Sequence, residues 1–203
     1  MKTITRPGSR SLTAAFGLLA VLVCAAIGTA LAAAPATPQS IIRSWPEAER
    51  TAAGAMIEKY GKPSQFDHRA LVWFNNGRWK RTIVYRNGLH RGGPARGKVF
   101  LEQSIGYIIP NDKLAELKRF DRRLDVSPTA GELTFTSDSE ATNLLALNLA
   151  DEIVVGKRSV ADARAYFAKT SRLAASGKSS PYLDGLRFDV DINRYMSPTG
   201  GDQ

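Results

Sequence analysis

Three side chains carry the chemistry of a nucleophilic hydrolase. Asp67 and His68 are adjacent ahead of a strand pattern, and Ser104 lies inside a later apolar run. A carboxylate can orient an imidazole, and an imidazole can take a hydroxyl proton. No spacing links the three, and such triads are defined by geometry in space, so the ordinary alternative is a surface histidine. A second candidate is the stretch Gly88–Gly97, where Arg91 and Arg96 sit among Gly92, Gly93 and Gly97. Backbone N–H groups and guanidinium forks can hold phosphate or sulfate. The stretch has neither a P-loop nor a dinucleotide glycine pattern, which excludes the usual nucleotide loops. Its bland alternative is a solvated connection between strands.

Asp189, Asp191 and Asn193 alternate like the opening of a calcium loop. The sixth position is Arg194 where glycine is needed, and the twelfth is Gly200 where glutamate is needed, so the EF-hand reading fails. The histidines are His68 and His90 and the one cysteine is Cys24. They cannot furnish a three-His zinc site, and no H-E-x-x-H spacing is present. No motif points to a cofactor, a metal or a catalytic residue set. Asn148, between Leu147 and Leu149 on a mostly apolar helix, needs a hydrogen-bond partner if buried, and a backbone group is the expected one. Trp45, Trp73 and Trp79 could stack on sugars, but in a small domain such residues supply core area.

The dominant feature is charge. The chain has 203 residues, with 28 Lys and Arg against 19 Asp and Glu, a net +9. From Arg69 to Leu101 there are eight basic residues and no acid. Arg78, Lys80, Arg81, Arg86, His90, Arg91, Arg96 and Lys98 in this stretch are the expected anion-binding residues. Long cationic side chains lay their stems on apolar surface and send their heads to water, so this stretch should present a positive face.

The elements that would position these residues follow from pattern. Ser44 and Glu47 have capping-box spacing with Pro46 in the first turn, so a helix is expected from Ser44, burying Ala48, Ala52, Met56 and Tyr60. Gly61 and Pro63 end it. Arg69–Asn75 and Arg78–Arg86 flank Asn76-Gly77, which predicts a type I′ hairpin pairing Asn75 with Arg78 and Phe74 with Trp79. A third strand spans Val99–Ile109, its buried face interrupted only by Gln103. Asp112–Phe120 reads as a short helix, and Leu124–Val126 and Glu132–Thr136 as short strands. Ser137 and Glu140 have capping-box spacing ahead of an apolar helix that Gly156 stops, and Ser159 caps the next helix. Leu186, Phe188, Val190 and Ile192 alternate with polar residues, which predicts a half-buried strand. Strand runs beside helix runs imply a single α+β domain, an antiparallel sheet with a central hairpin and helices packed on one face.

Residues 1–32 read as a signal peptide. Lys2, Arg6 and Arg10 precede an apolar run from Leu12 to Ile27, and Ala30-Leu31-Ala32 resembles a cleavage site. The run is short for a membrane span and Val23 before Cys24 argues against lipidation. Cleavage there leaves 25 basic and 19 acidic residues, net +6, and no cysteine. The expected organisation is a signal peptide at 1–32, a flexible leader at 33–43 and an α+β domain at 44–175. A linker at 176–184, a C-terminal strand at 185–195 and a flexible end at 196–203 complete it.

Three segments carry a resemblance: Lys59-Tyr60-Gly61-Lys62-Pro63, Trp73-Phe74-Asn75-Asn76-Gly77-Arg78-Trp79-Lys80-Arg81, and Asn143–Ala150 before Gly156-Lys157-Arg158. In that order they resemble an uncharacterised family of exported bacterial proteins without an assigned activity, over about residues 45–170. The resemblance implies compartment and single-domain architecture and transfers no catalytic residue. The helix, Tyr-Gly-x-Pro and hairpin succession is also similar to small outer-membrane assembly modules, a likeness of form that does not establish function.

These readings converge on a periplasmic or secreted, non-enzymatic binding or accessory protein with a basic surface. An anionic lipid or polysaccharide is the expected partner, and a protein partner stays open. Nucleic acid is disfavoured because no binding motif accompanies the charge. The alternative is a small envelope hydrolase with a carboxylate–His site at Asp67 and His68.

Overall fold

A computed structural model of the chain describes residues 36–89 and 99–190, with Met1 and Thr3. The expected signal peptide, the connection 90–98 and the chain beyond 190 fall outside the described residues. Residues 36–89 and 99–190 belong to one compact unit. Its centre is a six-stranded antiparallel sheet of β1 (Gln65–Phe66), β2 (Ala70–Asn76), β3 (Trp79–Leu89), β4 (Val99–Gly106), β5 (Leu124–Ser127) and β6 (Glu132–Ser137). The spatial order is β1-β2-β3-β4-β6-β5. The fold is thus α+β, with helices α1 (Pro38–Ile42), α2 (Glu47–Tyr60), α3 (Leu114–Phe120), α4 (Glu140–Val154), α5 (Val160–Ala175) and α6 (Pro181–Asp184). Among the described residues, no helix is long and apolar enough to cross a membrane.

The hairpin forms one step later than the sequence pattern suggests. Asn76 pairs with Trp79, Phe74 with Arg81 and Trp73 with Thr82, so Gly77 and Arg78 are the turn. Gly77 supplies the left-handed backbone at φ 68, and Asn75 also has positive φ at 51. The expected Phe74–Trp79 contact is lost. Phe74 is 45% exposed while Trp79 is buried, because Trp79 is drawn inward by a polar partner described below.

Helix starts shift for a related reason. Ser44 spends its hydroxyl on the Ile41 carbonyl at 3.2 Å, and α2 begins at Glu47 with no side-chain cap. Its buried residues are Glu49, Ala53 and Met56, a stripe one position on from Ala48 and Ala52. Part of the expected leader is structured: Thr37 caps α1 in a capping box with Ser40, and Ile42 is buried. Ser139, not Ser137, caps α4, accepting from the Thr142 N–H at 3.3 Å. Ser159 caps α5 as its spacing suggests.

Two apolar cores lie against the helices. One joins Ile42, Trp45, Ala53 and Met56 to Leu71, Trp73, Val84 and Leu101. The other joins Ile105, Leu133 and Phe135 to α4, α5 and the segment after α6. All three tryptophans are core residues, at 2–3% exposure. From Asn143 to Ala150 every residue of α4 is buried. A helix buried all round must satisfy each polar side chain internally, and its polar residues organise much of the molecule.

The predicted C-terminal strand is not present in its described part, residues 185–190. Burial still alternates, with Leu186 and Val190 in and Arg187 and Asp189 out. The backbone is held elsewhere. Asn148 Oδ1 accepts the Arg187 N–H at 2.7 Å, while its Nδ2 donates to the Tyr182 and Gly185 carbonyls at 3.2 and 2.9 Å. Arg78 Nη1 donates to the Leu186 carbonyl at 3.3 Å. One side-chain amide therefore replaces the sheet ladder, and the expected linker holds α6.

Candidate functional site

The hydrolase residues are not brought together. His68 is exposed, and its Nε2 accepts from Arg69 Nε at 3.3 Å. Asp67 Oδ1 accepts the backbone N–H groups of Arg69 and Ala70 at 2.7 and 2.9 Å, closing the turn into β2. Those two bonds hold its carboxyl below the usual range. Ser104 is fully buried in β4, hydrogen-bonded to Thr134 Oγ1 at 2.7 Å and accepting from Arg81 at 3.3 Å. A hydroxyl enclosed in the sheet and already bonded to Thr134 and Arg81 is not placed to meet the exposed His68.

The most connected polar group is Glu140, at the first turn of α4. Lys59 Nζ donates to Oε2 at 2.5 Å. Oε1 accepts from the Tyr60 hydroxyl, from Trp79 Nε1 at 2.7 Å and from Gln103 Nε2 at 3.1 Å. Gln103 Oε1 in turn accepts from Asn143 Nδ2 at 2.9 Å, and Asn143 Oδ1 accepts from Ser137 at 2.6 Å. The end of α2, the first residue of β3, the middle of β4 and the start of α4 meet at one carboxylate.

This arrangement stabilises a buried negative charge. Burial pushes the Glu140 carboxyl upward, but the donors Lys59, Tyr60 and Trp79 outweigh it and keep the pKa below the ordinary value. Burial, then the Glu140 hydrogen bond and charge, push the Tyr60 hydroxyl well up. An ionised carboxylate with four donors and a phenol that keeps its proton are poor acid–base partners near neutral pH. Gln103, the lone polar residue on an apolar strand face, is the part of this cluster the sequence signals.

A second carboxylate, Glu152, ties α4 to the chain that follows. It accepts from Arg158 Nε at 2.6 Å and Tyr182 Oη at 2.5 Å, with Lys157 at 3.4 Å. Neither carboxylate shares a motif spacing with all of its partners, which come from separate parts of the chain: α2, β3 and β4 for Glu140, and the turn after α4 with α6 for Glu152. Among the described residues no group of three or more His, Cys, Asp or Glu could hold a metal.

The basic stretch divides in two. At the turn end, Arg78 pairs with Asp189 at 3.1 Å, Lys80 with Glu132 at 2.7 Å, and Arg81 with Glu102 at 3.6 Å and Glu132 at 3.9 Å. The acids missing from this stretch in sequence arrive from neighbouring strands and from the C-terminal segment. Asp189, the one described member of the calcium-like pattern, is used this way; Asp191 and Asn193 lie outside the described residues.

At the other end of the hairpin the cations meet carbonyls. Arg86 Nη2 donates to the Ser44 carbonyl at 3.3 Å, and Arg50 Nη1 to the Trp45 carbonyl at 3.5 Å. The Arg86 N–H bonds the Arg69 carbonyl at 2.8 Å, and Arg43 directly precedes Ser44. Arg43, Arg50, Arg69 and Arg86 lie at this end of the hairpin, and among the described residues none forms a salt bridge; Arg69 meets Asp67 through its backbone N–H and its charge. His90, Arg91, Arg96 and Lys98 lie outside the described residues. No family model, curated protein or solved structure matches the chain.

Proposed function

We propose that the chain is an exported, non-enzymatic binding or accessory protein that contacts an anionic envelope component, lipid or polysaccharide, through its basic corner. The observation that carries this reading is the contrast within one hairpin. Arg78, Lys80 and Arg81 are paired with carboxylates, whereas the Arg86 and Arg50 guanidinium groups donate to backbone carbonyls, with Arg69 bonded to Arg86 through the backbone and Arg43 next to Ser44 in the chain. A carbonyl satisfies a guanidinium N–H without neutralising its charge. The charge that remains faces water, where exposed sites more than about 8 Å apart are screened at physiological salt.

The test is co-sedimentation with phosphatidylglycerol vesicles over a salt series, with neutral vesicles as the baseline. The native protein should bind at low salt and release as salt rises. A triple Arg43→Ala, Arg69→Ala, Arg86→Ala variant should bind poorly, and Arg78→Ala should bind like the native chain. Equal binding by the native and triple-variant proteins, or none at low salt, overturns the proposal. Export is checked separately by intact mass of protein from the envelope fraction.

A further inference from the structure

A cleft of about 650 Å³ lies between the end of α3 and α5, walled by Phe120, Asp121, Arg122, Arg123, Arg164 and Phe167. Its size is within the range of small-molecule sites. Its three arginines have different roles.

Arg123 is fixed and neutralised. Its Nε and Nη2 fork onto Asp121 at 3.1 and 2.9 Å. Its guanidinium lies 4.8 Å from the Phe135 ring centre and 5.4 Å from that of Phe167. Arg164 is fixed but not neutralised. Nε donates to the Phe120 carbonyl at 3.0 Å and Nη2 to the Arg119 carbonyl, the open carbonyl end of α3. Those acceptors are neutral, and Nη1 has no partner among the described residues. Arg122 is exposed and likewise has no carboxylate partner among the described residues. Asp121, the one carboxylate lining the cleft, is committed to Arg123.

We infer that this cleft binds a small organic oxyanion, a carboxylate or a phosphate, with Arg164 and Arg122 receiving the charge and Phe167 and Ala168 the apolar body. Arg164 is oriented before any ligand arrives, which reduces the ordering that binding requires. Guanidinium donors suit planar carboxylates and phosphates equally, so the ligand's chemistry is fixed as an oxyanion and its source is read by experiment. The site is separate from the basic corner and does not depend on the reading built on it.

Titration calorimetry of the purified protein with phenyl phosphate, benzoate and neutral benzyl alcohol tests the assignment. At least one aryl anion should bind saturably and benzyl alcohol should not. Binding of phenyl phosphate alone names a phosphate ligand, of benzoate alone a carboxylate, and of both a general oxyanion site. Ala168→Glu places a carboxylate one helical turn from Arg164 at an exposed position, where it cannot disturb the core. It should weaken anion binding about tenfold, near 1.4 kcal/mol. Arg122→Ala, which leaves the Asp121–Arg123 fork and the α3 end intact, should also weaken it. Arg86→Ala should leave it unchanged, so the fate of the basic corner is read separately. Equal binding of benzyl alcohol, equal affinity in Ala168→Glu, or no binding of either anion at about 10 mM, where a millimolar site would be nearly full, overturns the inference.

Discussion

Trp79 and Glu140 stand 61 positions apart in the chain, and the indole N–H of one donates to Oε1 of the other at 2.7 Å. The bond ties the residue after the hairpin turn to the first residue of α4. It explains why Trp79 turns inward while Phe74 on the facing strand stays out. The carboxylate also gains from the partial positive charge of the helix N-terminus, so an acidic residue is favoured at this position before its partners are counted.

Glu140 should therefore matter more than its individual partners. Glu140→Gln removes the charge that four donors share and sets an amide N–H2 among them. Urea denaturation should register a loss of about 2–4 kcal/mol. Lys59 is half exposed, and Lys59→Ala should cost no more than about 1 kcal/mol. Comparable losses in the two variants would show an ordinary ion pair and not a shared hub.

Acid should expose the same hub. The Glu140 and Glu152 carboxyls are held below their ordinary value in the fold, so the unfolded chain takes up those protons first as pH falls. Their stabilisation is complete above the unfolded glutamate pKa, about 4.3, and is lost as pH drops through the folded values. Asp151 has the opposite sign: burial, against the Tyr107 hydrogen bond, raises its carboxyl. Removing its charge should help: Asp151→Asn is expected to hold or raise stability at pH 7. Melting temperatures from pH 7 to pH 3 should fall steeply in the native protein and less so in Glu140→Gln.

Much of the sheet was legible because strand alternation and an Asn-Gly turn are local signals, and the α5 cap at Ser159 is equally local. The hairpin register was not. It places Trp79 against Glu140, a partner 61 positions further along the chain. Ser137 was a plausible cap for α4, yet its hydroxyl is taken by the Ser139 carbonyl at 2.8 Å and by Asn143. Long-range bonds also decide the described part of the tail, residues 185–190, where Leu186 and Val190 are buried as the period-two pattern expects and the backbone is not in a strand. The eight-cation stretch without acids was a fact of sequence, and its partial neutralisation by Glu102 and Glu132 follows from strand order, by Asp189 from the path of the C-terminal segment.

Asn148 predicts how the tail fails. Asn148→Ala would strip partners from two carbonyls and one N–H at once. With each uncompensated group costing about 1–3 kcal/mol before water reaches it, a net loss of about 2–4 kcal/mol is expected. Ending the chain at Gly177 should go further, since it uncovers core residues packed by Leu186 and Val190. Thermal melting and an apolar-surface dye would read both effects; an unchanged melting temperature in the truncated chain would mean the tail is not part of the core.

Gly77 separates backbone strain from packing at the hairpin turn. Its φ is 68, and a Cβ there would meet Tyr60 Cε1 at 3.7 Å, an ordinary contact. Space is therefore not the constraint. The left-handed backbone costs an L-residue about 1–2 kcal/mol, and asparagine tolerates it better than alanine. Gly77→Ala should lose about that much stability in urea, and Gly77→Asn clearly less. Because the turn sets where Trp79 begins β3, the near-ultraviolet dichroism of the indoles should persist in both variants as long as they fold. Equal losses from alanine and asparagine would point to a steric cause at Tyr60 in place of the backbone, and a lost indole signal in a folded variant would show that the register itself depends on glycine.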